Sequence, residues 1–513
     1  MKALTRATVL VTSVSACVLA YASGGVAAAT DASCSDLAHA ALAHSQITAT
    51  SVEAAGAVSI CRVAVRAHPT SDSDIGIEVW IPMGDAWNGK FVQAGNGGFA
   101  GKVPSNQLKQ LAAEGYVAAG TDDGHETPTN ATAEWALGHP DKVVDYGWRS
   151  LKETTDVAKA LIKAAKSKAA EKSYFDGCSD GGREALMEAQ RYPNDFDGIV
   201  AGAPGNYQVK LVAFRSSFYR TVTRPGGYLD MPQLSLIQNA TQAACGDKEA
   251  GFIRDPESCH FDPAVLLCKE GQSGKDCLTQ PQLDSIRAID SGWHDPRTGE
   301  MLYPGLAPGA EAMPGWKATV LGSSADTLTT TAFAYLYASN FLRDIAFSNP
   351  NYDVTTLDLG QPARDVVAKY GAIIDSESPD LSAFRKHGGK LIQYQGWNDQ
   401  NIPSTSSIIY YQNVQHQMGD TTDFYRLYMI PGMMHCTGGI GPSSVDWLAS
   451  LDDWRVKAKA PSAIVATLKL SDRQRQSMPM PPHPAQSQLL CPYPQHARLT
   501  GKDTSVAESY QCR

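Results

Sequence analysis

The stretch "YFDGCSDGGREAL" at residues 174–186 contains Gly177-Cys178-Ser179-Asp180-Gly181, the G-x-S-x-G pattern of a nucleophile elbow. An elbow places a serine on a sharp strand-to-helix turn, with small flanking residues because the turn is strained and crowded. The surroundings agree. Ser173, Tyr174 and Phe175 read as the end of a short strand, and Glu184 to Arg191 as a helix that Pro193 follows. Ser179 is therefore the candidate nucleophile. Its neighbour Cys178 has no part in that pattern and needs its own explanation.

The 513 residues suffice for one large domain with insertions, or for two or three domains. A net charge of −9, without a basic run or zinc-finger spacing, gives no electrostatic footprint for nucleic acid. Residues 1–29 read as a signal peptide. Lys2 and Arg6 form a charged start, Ala7 to Ala22 is mostly apolar, and Ala27-Ala28-Ala29 offers a small-residue cleavage site. Val14-Ser15-Ala16-Cys17 also resembles a lipoprotein cleavage box. The apolar run continues past Cys17, which favours simple cleavage near Ala29 and a secreted or periplasmic product over an anchor at Cys17. No later stretch of about 18 apolar residues predicts a membrane span.

Removing the leader removes Cys17 and leaves ten cysteines. An even number in an exported chain points to disulfides. Spacing suggests Cys245–Cys259, Cys268–Cys277 and Cys491–Cys512, and elimination adds Cys34–Cys61 at the N-terminus. Cys178 and Cys436 remain, either bridged or as two buried thiols. Cys436 follows His435 in "YMIPGMMHCTGG", so each leftover cysteine flanks a candidate catalytic residue. A serine and its base must approach to about 2.6–3.2 Å. A disulfide needs α-carbons about 4.4–6.8 Å apart, a distance that neighbours of a touching Ser–His pair can meet. A Cys178–Cys436 bridge across the active site explains the cysteine beside the nucleophile.

Of twelve histidines, His435 stands apart because it follows a strand-like run, Phe424 to Ile430, and a Pro-Gly turn. In an α/β-hydrolase the triad follows the chain order serine, acid, histidine, with the histidine on a loop after a late strand. The acid then falls between 179 and 435. In "KLIQYQGWNDQNIP", Lys390 to Tyr394 reads as a strand and Asp399 lies in the loop after it. Spacing alone does not separate Asp399 as the triad acid from Asp399 as a turn residue capping local amides.

Gly95-Asn96-Gly97-Gly98 follows the strand-like Phe91-Val92-Gln93. A phosphate loop would want Ser or Thr where Val103 stands, and a helix pattern that does not begin there. An oxyanion loop fits better, since glycines let backbone N–H groups approach a developing alkoxide; a plain turn is the alternative. Gly97 is the donor expected from this loop, and the N–H of Asp180, the residue after the nucleophile, is its partner.

The sequence resembles the tannase/feruloyl esterase family of α/β-hydrolases. The similarity covers "WIPMGDAWNGKFVQAGNGGFAG", "GYVAAGTDDGH", "ALGHPDKVVDYGWRS", "YFDGCSDGGREALMEAQRYPNDFDGIVAGAP", "YQGWNDQNIP" and "PGMMHCTGG". The resemblance implies Ser179 as nucleophile, His435 as base and Asp399 as the orienting acid, with a Cys-Ser and a His-Cys whose cysteines bridge. It also implies a lid, often with calcium held in a loop of repeated Asp-Gly between two cysteines. Here that loop reads "CGDKEAGFIRDPESC", shortened and with Ala250 where an aspartate would stand. Calcium wants six to eight oxygens. Asp247, Glu249 and Asp255 are the acids available, so a disulfide-closed loop without metal is expected. No redox or organic cofactor is implied.

The fold expected is an α/β-hydrolase with a mostly parallel central sheet and a large inserted lid. Strands are expected at 78–81, 90–94, 117–120, 172–176, 198–202, 390–394 and 424–430. Residues 30–205 and 386–513 form the catalytic domain, and 206–385 the lid. Lid aromatics such as Phe218, Tyr219, Trp293, Trp316, Phe333, Tyr335 and Tyr337 are available for an acyl pocket. The resemblance implies a small-molecule substrate, a feruloyl, other hydroxycinnamoyl or galloyl ester. Three alternatives stand beside it. One is hydrolysis of a monoester of an aromatic diacid such as mono(2-hydroxyethyl) terephthalate, whose carboxylate would want an arginine fork. Residues 298–342 contain no arginine and only Lys317, which counts against it. The others are a peptidase of the same fold and a catalytically silent polyphenol- or carbohydrate-binding protein.

Overall fold

In the strand that leads into the elbow, adjacent residues face opposite ways: Tyr174 packs in one apolar core and Phe175 in another. The same alternation separates Phe91 from Val92, Ile199 from Val200 and Leu391 from Ile392. The sheet is therefore buried on both faces, which suits parallel strands covered by helices. The computed structural model describes residue 1 and residues 32–247, 250–272, 274–471, 478, 480–481 and 484–513. The expected leader with Cys17, and Glu249 of the candidate calcium loop, lie outside the described residues.

Nine strands form the main sheet: β1 (Ser45–Ala55), β2 (Val58–Ala67), β3 (Ile75–Pro82), β4 (Lys90–Ala94), β5 (Val117–Thr121), β6 (Lys172–Cys178), β7 (Gly198–Gly202), β8 (Lys390–Gly396) and β9 (Tyr425–Ile430). Their spatial order is β1-β2-β3-β5-β4-β6-β7-β8-β9. The first three pairings are antiparallel and the remaining five parallel. Helix α1 (Ser105–Ala113) and the helix Trp447–Lys457 cover the Val92 face through Leu108, Leu111, Leu448 and Leu451. Helices α2 (Ser150–Lys166) and α3 (Asp180–Arg191) cover the Phe175 face through Val157, Leu161, Ala185 and Leu186. This is the α/β-hydrolase layout, with the elbow at the C-terminal edge of a central parallel strand.

The strand expectations meet β3 to β9 within a few residues. The β1–β2 hairpin was not among them. Its "SQITATSVEAA" mixes small and polar residues, because β1 is an exposed edge that buries little. Gly56 at φ +60° opens its two-residue turn, a conformation suited to glycine.

Between β7 and β8 the chain runs through residues 203–389. Among the described residues this stretch adds no strand to the main sheet. It is largely helical, with one ribbon of Trp293–His294 and Met301–Tyr303. Helix α4 (Gln208–Val222) is its centre, packed on the helices Gln280–Ser291, Phe333–Asn340 and Gln361–Ile374. No described helix is long and apolar enough to cross a membrane. Five disulfides join ten cysteines: Cys245–Cys259, Cys268–Cys277 and Cys491–Cys512, as spacing suggests, Cys34–Cys61, as elimination does, and Cys178–Cys436, with Cα–Cα distances of 4.9–5.9 Å.

Several acids are buried in this frame. Burial pushes the carboxyls of Asp122, Glu311 and Asp375 up to about 7. Each contributes stability that is complete below its unfolded value of about 4 and is lost as pH rises through about 7. Burial holds His125 down to about 4, so its contribution is lost only as pH falls below about 6.5. Of the groups named here, the acids are the ones that act above that pH. The melting temperature is therefore expected to fall between about pH 6.5 and 8.5. Thermal melts followed by circular dichroism test this, and a rise over that range would contradict it.

Candidate active site

Strand β6 ends at Cys178, Ser179 turns with φ +68° and ψ −120°, and α3 begins at Asp180. This backbone is strained for a residue with a β-carbon and persists because its surroundings hold it. Ser179 N–H donates to Gly202 O at 2.9 Å, and Ser179 O accepts from Arg183 N–H at 3.1 Å. The glycines permit the crossing. A β-carbon at Gly177 would overlap the Gly181 backbone, and one at Gly181 would lie 2.9 Å from Asn96 O.

Ser179 Oγ lies 2.8 Å from His435 Nε2, and His435 Nδ1 lies 2.8 Å from Asp399 Oδ2. With Nδ1–H given to Asp399, Nε2 is left to accept the serine proton. Asp399 is 2% exposed. Its Oδ2 also accepts from Gln395 Nε2 at 2.8 Å, and its Oδ1 from the amides of Asn401 and Ile402 at 2.8 and 2.9 Å. Asp399 thus faces the histidine and also caps its own loop. His435 N–H donates to Gln400 Oε1 at 3.1 Å, joining the two loops. One residue further, Cys436 at φ +63° bridges to Cys178 with 5.9 Å between α-carbons. The bridge ties the histidine loop to the elbow across 258 residues.

The amides of Gly97, Gly98 and Asp180 meet no acceptor among the described residues. Gly98 and Asp180 line the cavity that contains Ser179, whereas Gly97 lines a neighbouring groove beside Asp176 and Cys178. The sequence pointed to Gly97; Gly98 is the glycine of that run that lines the cavity with the serine. Tyr146 connects the two cavity residues. Its hydroxyl lies 3.1 Å from Gly98 O and 3.0 Å from Asp180 Oδ1, and it accepts from Gln208 Nε2 at 2.6 Å. Tyr146 sits in a π-helical turn, Asp145–Arg149, a deviation often found at functional sites. Arg183, fully buried, grips Asp180 through Nε–Oδ1 at 2.5 Å and Nη2–Oδ2 at 3.2 Å. Behind the loop, Asn96 N–H donates to Glu184 Oε2 at 3.0 Å. Burial, then the nearby Asp123 and Asp180, push the Glu184 carboxyl well above its ordinary range. Asp123, Asp180 and Glu184 approach metal-binding distances, but Arg183 already supplies the cation there.

Gln208, Leu211, Arg215, Phe333, Tyr337, Asn401 and Ile402 complete the cavity wall. The space they leave is about 20 Å³, room for about one water. Of the candidate aromatics, Phe333 and Tyr337 reach this wall. Phe218, Tyr219, Trp293 and Trp316 are buried in the insertion's core, and Tyr335 packs edge-on against Tyr219. Tyr146 and Arg215 were missed in the sequence. Tyr146 lies in "VVDYGWRS", a stretch that carries the resemblance but no motif that singles out the tyrosine. Arg215 breaks the apolar run "LVAFRSSFY", a signal that went unused.

Among the described residues, the acids of the candidate calcium loop take separate partners. Asp247 Oδ2 pairs with Arg254 Nε at 2.7 Å, and its Oδ1 accepts from Ala250 N–H at 3.2 Å. A guanidinium therefore occupies the carboxylate a metal would need. Asp255 instead approaches Glu257 and His496.

The family described as "Tannase and feruloyl esterase" matches residues 61–513. An uncharacterized esterase of Xanthomonas campestris pv. campestris is 34% identical, with 94% of this chain and 92% of that protein covered. Feruloyl esterase C of Talaromyces stipitatus is 31% identical over 75% of this chain and 71% of its own. Among solved structures, feruloyl esterase B from Aspergillus oryzae superposes with a TM-score of 0.82 at 27% identity, covering 94% of this chain and 100% of that one.

Proposed function

The chain belongs to the tannase and feruloyl esterase family of carboxylic ester hydrolases, and we propose that it cleaves esters of hydroxylated aromatic acids through an acyl-enzyme on Ser179. The observation that carries this is the continuous hydrogen-bonded line Ser179–His435–Asp399 at the elbow. His435 takes the serine proton as Oγ attacks the ester carbonyl. Asp399 holds the ring and stabilises the imidazolium. The amides of Gly98 and Asp180 receive the oxyanion. The alcohol leaves with the proton from His435, and water releases the acid by the reverse route. Residues 206–385 act as the lid. An aromatic acyl group needs more room than this cavity leaves, so its entry requires the wall, on which Phe333 is half-buried, to move. The leader read at 1–29 and the five disulfides support export to an oxidising compartment.

A hydrolysis panel of methyl ferulate, methyl gallate, chlorogenic acid and a terephthalate monoester, followed by chromatography, tests the substrate class. Release of ferulate, gallate or caffeate is expected. Turnover of the terephthalate monoester alone would overturn it.

The bridge is a positioning device. Cys178→Ala combined with Cys436→Ala is expected to lower turnover by ~100-fold in protein that circular dichroism shows folded, since a 1 Å misplacement has that effect. Removing Cys491 and Cys512 instead should lower the melting temperature and spare turnover. Equal turnover in the two double variants would remove the positioning role.

The loop is expected to do without calcium, since Arg254 pairs with Asp247 there. Chelation should leave the melting temperature unchanged; a fall that added calcium reverses would contradict this.

A further inference from the structure

Two buried arginines in this protein have different surroundings. Arg183 has a bidentate carboxylate partner and carbonyl acceptors. Arg215, on α4 and 2% exposed, forms no ion pair with any described residue. Its polar contacts are two bonds from Nη2 to Asn401, at 3.2 Å to O and 2.5 Å to Oδ1. Its guanidinium carbon lies 5.0 Å from the centroid of the Tyr337 ring. The Nε and Nη1 donors have no protein acceptor among the described residues. Asp399 is the carboxylate that acts on it, without touching it, and a buried charge without a direct partner is strongly unfavourable. Burial accordingly pulls the Arg215 guanidinium below its ordinary range.

The side chain lines the same cavity as Ser179. Around it, Leu211, Phe333, Tyr337 and Ile402 form an apolar and aromatic wall against which a flat ring can lie once the wall moves, while Gly98 and Asp180 mark the reacting end. A guanidinium presents parallel N–H groups that match a pair of neighbouring oxygens. We propose that the partner missing from the folded chain is carried by the substrate: Arg215 takes a pair of oxygen atoms at the far end of a planar acyl group whose ester carbonyl reaches Ser179. This rests on the esterase reading above and makes Arg215 its specificity-determining residue. The oxygen pair has two sources, the adjacent hydroxyl and methoxyl or hydroxyl groups of a phenolic acid, or the carboxylate of a diacid monoester. The cation that residues 298–342 do not provide reaches the cavity from α4.

The test is kcat/KM for two matched pairs, methyl ferulate with methyl cinnamate and monomethyl terephthalate with methyl benzoate, in wild type, Arg215→Met and Arg215→Lys. At least one oxygen-bearing member should lose its advantage over the bare ring by tenfold or more in Arg215→Met. Arg215→Lys, which keeps a charge without the fork, should lose less. The pair that responds names the source of the oxygens. Labelling of Ser179 by a fluorophosphonate checks that each variant keeps a competent site, and Arg215→Lys serves alone if Arg215→Met does not fold. Both ratios unchanged within twofold would overturn the proposal. Wild type inactive on all four esters would instead overturn the esterase reading on which it rests.

Discussion

Ser179→Ala is expected to abolish ester hydrolysis in a protein that folds as wild type does. The substitution keeps the β-carbon that the strained turn already accommodates. Ser179 Oγ makes its hydrogen bond to His435 and supports no other element. The backbone bonds that hold the elbow, from Ser179 N–H to Gly202 and from Arg183 N–H to Ser179 O, do not involve the side chain. Removing a nucleophile of this kind costs on the order of 10⁵–10⁶ in kcat. The residual rate reflects the oxyanion amides and substrate binding alone. Melting should stay close to wild type. Near-full turnover in folded Ser179→Ala protein, measured on methyl ferulate, would remove the triad assignment.

Asp399→Asn is expected to have the next largest effect, about 10⁴ in kcat with little change in KM. An asparagine Oδ1 can still accept from the amides of Asn401 and Ile402, so the loop survives. Its Nδ2 would face His435 Nδ1 as a donor. The ring then carries its proton on Nε2, where the serine proton must go. Gln395, which now donates to Asp399 Oδ2, must also turn its amide over, which should lower the melting temperature slightly. Steady-state kinetics separates the two quantities. Turnover near wild type, with another acidic variant inactive, would mean that the acid was misplaced.

The site was legible where chemistry constrains sequence tightly. The elbow requires glycines at 177 and 181, and those, with the strand before and the helix after, mark Ser179. The leftover cysteines mark His435 because the other eight pair over short spans, apart from Cys34 and Cys61. Asp399 was ambiguous for a physical reason: it does what both readings require, capping amides through Oδ1 and holding the histidine through Oδ2. The oxyanion donor was the less legible part: a run of glycines does not reveal which N–H turns toward the serine, and Gly98 shares the serine's cavity while Gly97 lines the groove beside it. Tyr146 and Arg215 depend on how α4 and the π-turn fold over the elbow, contacts with no local spacing rule. In the fold, strands buried on both faces show as apolar runs, whereas the exposed edge strand β1 shows almost nothing.

The central claim is that Ser179 forms the covalent intermediate with His435 as its base. The most direct measurement is fluorophosphonate labelling followed by intact mass and peptide mapping. One adduct is predicted, on Ser179, with loss of esterase activity in proportion to labelling and no adduct in Ser179→Ala. An adduct on another residue, or full hydrolysis by quantitatively labelled protein, would contradict the account.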